Sequence, residues 1–239
     1  MKIALIGYGK MGQAIEKIAK ERGHEIVSVI DINNLDDFDS SNFTSADVAI
    51  EFTRPDVAVS NIRNCFERNI PVVCGTTGWT EQLPEIQKAI DEGGKTLFWS
   101  SNFSLGVNIF FALNKHLAQL MNRFSGYDVE MTEIHHTQKL DAPSGTAITL
   151  AEGILEHFDR KTCWVKETSE KPDELAIKSI REGQVPGTHI ISYESDVDLL
   201  TIAHEVKNRQ GLALGTVIAA EFTAGKKGLL GMQDLLKIF

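Results

Sequence analysis

Lys2-Ile-Ala-Leu-Ile6 followed by Gly7-Tyr8-Gly9-Lys10-Met11-Gly12 decides the fold: an apolar run of strand length gives way at once to G-x-G-x-x-G. An amphipathic pattern then continues to about Arg22, so the glycines lie between a buried strand and a helix. In that context the spacing reads as a dinucleotide fingerprint. The first glycine makes the tight turn, the second lets backbone approach a pyrophosphate, and the third lets helix and strand pack closely. A bare G-x-G-x-x-G is a weak signal, and a glycine turn without a ligand is the competing reading. The position and flanks of this one favour the dinucleotide.

Working outward, residues 25–30 read as a second strand ending in Asp31. That acid stands roughly 20 residues beyond the glycine loop, where a carboxylate takes the ribose 2′-hydroxyl of NAD. Ile32, Asn33 and Asn34 follow, with no cation to answer a 2′-phosphate. NADH is therefore expected over NADPH. Residues 36–45 read as an acidic, polar loop. Strand patterns recur at 47–52, 71–74 and 95–100, with helix patterns from Pro55 to about Arg68 and over 80–92. Phe52, Thr53, Arg54, Gly75, Thr76, Thr77, Ser100, Ser101, Asn102 and Phe103 all fall at carboxyl ends of strands, where open parallel sheets bind ligands. Arg54 reads equally as a cofactor contact or as a solvated charge at a helix start. The alternation predicts an α/β fold, a Rossmann-type doubly wound parallel sheet.

Beyond Asn102 the grammar changes. Residues 106–122 form a long apolar helix pattern, placed as the crossing into a second domain. Residues 127–136, 176–181, 189–194 and 199–206 read as strands with few helices between them. That predicts a second α+β domain with a mixed or antiparallel sheet, one face open to an oligomer contact. Residues 161–174 read as a polar stretch, 210–224 as helical, and the tail 226–239 as ending in a short helix. The expected division is a dinucleotide-binding domain, 1–104 completed by 209–239, and a substrate-binding and oligomerisation domain, 105–208. His204, Glu205 and Arg209 read equally as lining the cleft or as surface residues.

Composition narrows the function. The 239 residues carry 24 Lys and Arg against 33 Asp and Glu, a net charge of −9, with no basic run. Nucleic-acid binding is disfavoured, and no apolar run reaches membrane-spanning length. Cys65, Cys74 and Cys163 are scattered and read as free, buried thiols in a reducing cytoplasm. Cys74 borders a reactive-looking loop, but an inert core thiol is the simpler reading. Lys2 leads directly into a strand, so no signal peptide is expected.

The chemistry concentrates in residues 130–147, EMTEIHHTQKLDAPSGTA. Strand alternation puts Glu133 and His135 on one face. The turn that follows has Pro143 where a first helical residue belongs, and leaves the N–H groups of Gly145 and Thr146 free at a positive helix end. Such an end binds carboxylates. A general acid beside an anion cradle suggests a small acidic substrate that needs a proton. Bland readings compete: an adjacent His pair is commonly structural, and Lys139 could instead form a Schiff base. No metal is expected, because His116, His157, His189 and His204 offer no obvious third and fourth ligand.

This long stretch closely resembles the active-site motif of the 4-hydroxy-tetrahydrodipicolinate (dihydrodipicolinate) reductase family. Further resemblance lies in residues 7–12, in CGTTG at 74–78, in SNFSLGVN at 101–108 and in GLLGMQDL at 228–235. The resemblance implies NAD(P)H-dependent reduction of a cyclic imino dicarboxylate in lysine and diaminopimelate biosynthesis, by a homotetramer. It implies His135 as proton donor and Lys139 as catalytic cation. His136, Lys139, Gly145 and Thr146 would hold the dicarboxylate. The implied cofactor contacts are Gly7, Tyr8, Gly9, Lys10, Met11, Gly12, Asp31, Gly75, Thr76, Thr77, Ser100, Ser101, Asn102 and Phe103. The chain departs from many members in having Lys10 for Arg in the glycine loop, from some in having Ile32 for Arg, and in a trimmed 36–45 region. Two other functions compete: another NAD-dependent imine or amino-acid dehydrogenase of the same layout, which would lack the run from Lys139 to Thr146, and a non-enzymatic dinucleotide sensor, which would need no proton donor.

Overall fold

A computed structural model describes residues 1–208 and 210–237. The chain divides into two compact units, Met1–Leu105 with Gln210–Phe239, and Gly106–Arg209. The first opens with β1 (Lys2–Ile6), α1 (Lys10–Glu21), β2 (Glu25–Ile30), α2 (Ser41–Thr44) and β3 (Val48–Glu51). It continues with α3 (Pro55–Glu67), β4 (Val72–Cys74), α4 (Leu83–Gly93) and β5 (Thr96–Trp99). The strands are short and buried on both faces, as in a parallel sheet covered by helices on each side. Along β1, Ile3 and Leu5 face one core, and Ala4 and Ile6 the other.

Residues 36–45 are not the solvated loop expected. A 3₁₀ turn, Leu35–Asp39, and α2 lie there, because Phe38 and Phe43 are buried and meet edge to face at 5.0 Å. Two aromatic anchors outweigh the acidic residues around them. Cys65 and Cys74 are buried, whereas Cys163 is exposed, against expectation. Burial and the Glu51 carboxylate push the Cys74 thiol well above its ordinary pKa, so it is inert.

The second unit holds most of α5 (Leu105–Met121), then β6 (Asp128–His135), α6 (Gly145–Leu155), β7 (Cys163–Lys166), β8 (Glu174–Arg181), β9 (Thr188–Glu194) and β10 (Leu199–Glu205). The strand order is β10-β9-β6-β8-β7. β6 runs parallel to β8 and antiparallel to β9, so the sheet is mixed. Apolar residues of α5 and α6 cover one face, packing on Val129, Met131, Ile177 and Ile191. Val197, Leu199 and Leu200, at and before the start of β10, are exposed. The stretch 161–174 read as polar and loop-like, yet it contains β7, whose pairing with β8 holds a short edge strand that has no strong pattern of its own.

The chain then adds α7 (Gln210–Thr223), β11 (Gly228–Leu230) and α8 (Met232–Leu236) to the first unit. The short helix expected at the end of the tail is α8, while β11 was not foreseen as a strand. It pairs parallel to β5 and completes a six-stranded sheet in the order β11-β5-β4-β3-β1-β2. Helices α1 and α7 cover one face, α3 and α4 the other. The doubly wound fold expected from the first 100 residues is thus observed, with one strand contributed by the tail.

Candidate active site

In the first unit the three glycines divide their labour as the fingerprint requires. Gly7 has φ +93, and a Cβ there would lie 2.1 Å from the carbonyl oxygen of Phe52. A Cβ at Gly12 would lie 2.3 Å from the Gly7 carbonyl oxygen, so helix and strand meet backbone to backbone. A Cβ at Gly9 would meet nothing within 4 Å. The open side of the loop faces a cavity of roughly 320 Å³, lined by residues 9–12, 52, 53, 55 and 75–77. Gly9 is the N-cap of α1 and gives it no side-chain cap. Unfilled space, a bare helix start and the exposed Lys10 fit a pyrophosphate.

The supporting residues are fixed from below. Thr76 Oγ1 accepts from the Thr53 N–H at 2.8 Å, and its carbonyl accepts from the Trp79 indole at 2.8 Å. The phenol of Tyr8 donates to Glu16. The ring of Phe103 is buried against Phe52 and Phe98, so only its backbone could reach a ligand. Ser100 Oγ donates to the Asn102 carbonyl, and the Asn102 side chain accepts from Ser104 N–H. Asp31 is exposed just past β2, accepts from its neighbour Ile32 N–H, and forms no ion pair among the described residues. Arg54 is exposed and pairs with Asp56 of its own helix at 3.0 Å, the solvated-charge alternative.

In the second unit, β6 alternates as expected: Val129, Met131, Glu133 and His135 are buried on one face. The last two turn that face from apolar to charged. Glu133 is fully buried and its carboxylate is a hub. It accepts from Ser144 N–H at 3.1 and 3.2 Å, from Ser179 Oγ at 2.8 Å and from Arg181 Nη2 at 3.3 Å. His135 Nδ1 lies 3.3 Å from Oε2, at ion-pair distance but off the line of a good hydrogen bond. Despite burial, these donors hold the Glu133 carboxyl far below the ordinary range.

Arg181 extends the frame. Its guanidinium also donates to the carbonyls of Asp141, at 2.6 Å, and Lys139, at 3.4 Å, pinning the loop after β6. Lys139 Nζ is held by both oxygens of Asp141, at 2.7 and 2.9 Å, and that ammonium depresses the Asp141 pKa. His136 is half-buried at the turn, and its carbonyl accepts from Lys139 N–H.

α6 starts two residues later than the sequence suggested. Pro143 lies before the helix, and Ser144 is the N-cap, its hydroxyl accepting from Ala147 N–H at 3.2 Å. The cap explains the shift: serine satisfies an N–H group there, as proline at N1 cannot. The N–H groups of Gly145 and Thr146 remain without a partner among the described residues. The residues that sequence reading missed are Asp141, Ser144, Ser179, Arg181 and His189, while Glu133 was placed but given no role. Strand alternation could have flagged His189 as an inward polar residue, but only register pairs it with Glu133.

His189, which offered no obvious ligand in sequence, is brought next to His135 by the fold. Ligand atoms of Glu133, His135 and His189 lie within 4.8 Å of one another, a spacing that would admit a metal ion. The donor set argues against one: the carboxylate is already taken by two hydrogen-bond donors and a guanidinium, so a cation there would meet Arg181 head-on.

Family models described as dihydrodipicolinate reductase N-terminus and C-terminus match residues 1–103 and 106–236. A 4-hydroxy-tetrahydrodipicolinate reductase of Christiangramia forsetii is 47% identical, covering 99% of this chain and 98% of its own. One from Staphylococcus saprophyticus is 38% identical over 98% of this chain and 100% of its own. Among solved structures, a dipicolinate-bound dihydrodipicolinate reductase from Paenisporosarcina sp. TG-14 superposes with a TM-score of 0.79 at 26% identity, covering 98% of each chain. No described helix is long and apolar enough to cross a membrane.

Proposed function

The chain belongs to the dihydrodipicolinate reductase family, and from that premise we propose that it reduces 4-hydroxy-tetrahydrodipicolinate to tetrahydrodipicolinate in lysine and diaminopimelate biosynthesis. One observation carries the reading: a single buried carboxylate, Glu133, lies at ion-pair distance from the imidazole of His135 and binds Ser144, the N-cap of the helix whose next two N–H groups are free among the described residues. A proton donor and an anion cradle share one anchor.

The nicotinamide dinucleotide, when bound, supplies the hydride for ring C4. What the chain's own residues do follows from their placement. Residues 7–12 and 75–77 hold the pyrophosphate and its surroundings. The N–H groups of Gly145 and Thr146, with His136 and Lys139, hold the two carboxylates. As electron density builds at C3, His135 delivers a proton there, and Lys139 offsets negative charge. A planar pyridine dicarboxylate such as dipicolinate, bound by the Paenisporosarcina relative, presents the same pair of carboxylates to such a cradle.

NADH is the preferred donor in this reading. Asp31 suits a ribose hydroxyl and would repel a 2′-phosphate, and the residue beside it is the exposed Ile32 rather than a cation. Comparing kcat/KM for the two cofactors tests this, and a preference for NADPH would reject it. The domain division proposed is 1–104 with 209–239, and 105–208; Arg209 lies outside the described residues. A homotetramer built through the exposed face beginning at Leu199 completes the proposal, and light scattering on the purified chain checks it.

The activity itself is tested by following NADH absorbance with the condensation product of aspartate semialdehyde and pyruvate, generated fresh. Turnover with this substrate, and growth rescue of a diaminopimelate auxotroph, are expected. Oxidation of NADH by other imines but not by this one would point to an amino-acid dehydrogenase instead. Dinucleotide binding without turnover of any imine would point to a sensor.

A further inference from the structure

Four strands of the second sheet place polar side chains in one row. Ser179 of β8 pairs with Glu133 of β6, Glu133 with His189 of β9, and His189 with His204 of β10. Directly paired residues share a face, so the row runs across the helix-covered side of the sheet. Two residues along, His135 pairs with Arg181. An ordinary sheet interior would be apolar here. Burying this many polar groups is costly unless they are used or satisfied.

Their states differ. Glu133 is an anion with hydrogen bonds to both oxygens. His189 is held neutral: burial, then the nearby His135, lower its pKa to about 4. Its Nε2 lies 3.3 Å from Ser144 Oγ and 3.8 Å from Glu133 Oε2. His204 sits beside Phe110 at 5.9 Å, and burial lowers its pKa too. His135 is therefore the ring that Glu133 addresses at closest range, through Nδ1. Its other nitrogen has been left room: a Cβ on the buried Gly187 would stand 3.0 Å from His135 Nε2.

We propose that Glu133 is the positioning residue of the proton donor, fixing the imidazole of His135 with a proton on Nδ1, so that Nε2 is the nitrogen that gives its proton to substrate. The inference rests on His135 being the donor. In the step, the Nε2–H bond breaks as the bond from hydrogen to ring C3 forms. The imidazolium becomes the neutral Nδ1–H tautomer, and solvent later returns a proton to Nε2. Glu133 stays ionised throughout, since its donors hold its carboxyl far below neutrality. A hydrogen-bonded or ion-paired carboxylate on one ring nitrogen sets which tautomer the other presents. Gly187, lacking a side chain, leaves Nε2 uncrowded. The same carboxylate holds Ser144, so donor and cradle keep a fixed relation within this unit.

The groups that face His135 and would shape a pH profile are Glu133 on its own strand, Arg181 on β8, His189 on β9 and His204 on β10. Lys139, Asp141 and His136 of the following loop complete the set. Among the described residues, only Glu133 places a negative charge at the ring itself.

Two measurements on the full-length protein test this. In the unsubstituted enzyme, nitrogen-15 spectra of labelled histidines, with His135 assigned by its loss in His135→Gln, are expected to show the Nδ1–H tautomer for the neutral ring. A neutral ring dominated by Nε2–H overturns the proposal without any variant having to fold. In Glu133→Gln, an amide N–H can face Nδ1 and invert the tautomer, and the charge is gone. The alkaline limb of kcat should then move down by about one pH unit or more, so kcat on that limb falls at least about tenfold. Glu133→Asp should restore most of that shift. A Glu133→Gln profile that keeps its limb, or an aspartate variant no better than glutamine, means Glu133 only fills structure, and overturns the proposal. Full kcat in His135→Gln would instead remove the donor assignment itself, a result separable from either of these.

Discussion

The glycine loop and the histidine turn solve opposite problems. In residues 7–12 the functional parts are absences: no side chain at Gly9, none at Gly12, and a helix start without a cap. In the proposed function, backbone and empty space do the binding. In residues 133–146 the functional parts are polar side chains that the fold must hold against the cost of burial. They are held by groups from β6, β8, β9 and the start of α6. A site made of backbone is local in sequence and hard to alter without breaking the fold. A site made of buried side chains is assembled from afar, and its members can be changed one at a time. Variants in the two regions should accordingly fail in different ways.

The largest separation between them is expected from His135→Gln. Losing a positioned acid should lower kcat by roughly 10²- to 10⁴-fold with a smaller change in KM. NADH affinity, which the proposed function assigns to the other unit, should be unchanged by fluorescence titration. If the variant instead weakens NADH and leaves kcat alone, the division of labour is wrong.

The next effect is on stability. His189 is neutral in the fold with a pKa of about 4, against about 6.5 for a free histidine. The unfolded chain therefore binds more protons than the folded one between those values, and stability rises with pH there. Acidifying from pH 7 toward pH 4 should remove up to roughly 3 kcal/mol on this account. Glu133 acts in the same direction at lower pH: its folded pKa is depressed, so its contribution is lost as pH falls below the ordinary carboxylate range. Thermal melts from pH 7 to pH 5 should fall for the native chain and fall less for His189→Gln. Parallel slopes would show that the buried row does not carry the pH dependence.

How much of this was legible beforehand follows the same divide. The glycine loop, five parallel strands and the pairing of Glu133 with His135 on one face are local patterns, and the sequence displays them. Elements held by distant partners were not readable. β11 is only Gly228–Leu230 and becomes a strand by adding to β5. β7 exists through β8. Residues 36–45 hide two buried phenylalanines among acids. Arg181 and His189 enter the site by strand register, which no local spacing encodes. The start of α6 was misplaced because proline and serine both signal a helix start, and the hydroxyl of Ser144 takes the N–H that decides it.

Within the glycine loop, Gly9→Ala and Gly12→Ala should part company. At Gly12 the added methyl group would collide with backbone 2.3 Å away, which cannot shift like a side chain. A loss of roughly 1–3 kcal/mol is expected with or without NADH. At Gly9 the methyl group meets open space, so the melting temperature of the free protein should hardly move while the NADH KM rises. Equal destabilisation by both substitutions would mean that Gly9 serves the turn rather than the ligand.

The smallest expected effect probes the cradle. Thr146 is half-buried at the second position of α6, and its hydroxyl makes no hydrogen bond among the described residues. Its N–H is free on the same side chain's backbone, so substrate could be met by the amide, the hydroxyl or both. Thr146→Val keeps the shape and the amide and removes only the hydroxyl. A hydrogen bond to a carboxylate contributes about 1.5–3 kcal/mol, but the neighbouring N–H groups remain. The substrate KM should therefore rise by about tenfold at most, with kcat and NADH affinity nearly unchanged. An unchanged substrate KM would assign the carboxylate to backbone alone, making this half of the second site resemble the glycine loop after all. A fall in kcat without a change in KM would mean that Thr146 acts on the proton transfer rather than on binding, and the cradle would have to be placed elsewhere in the unit.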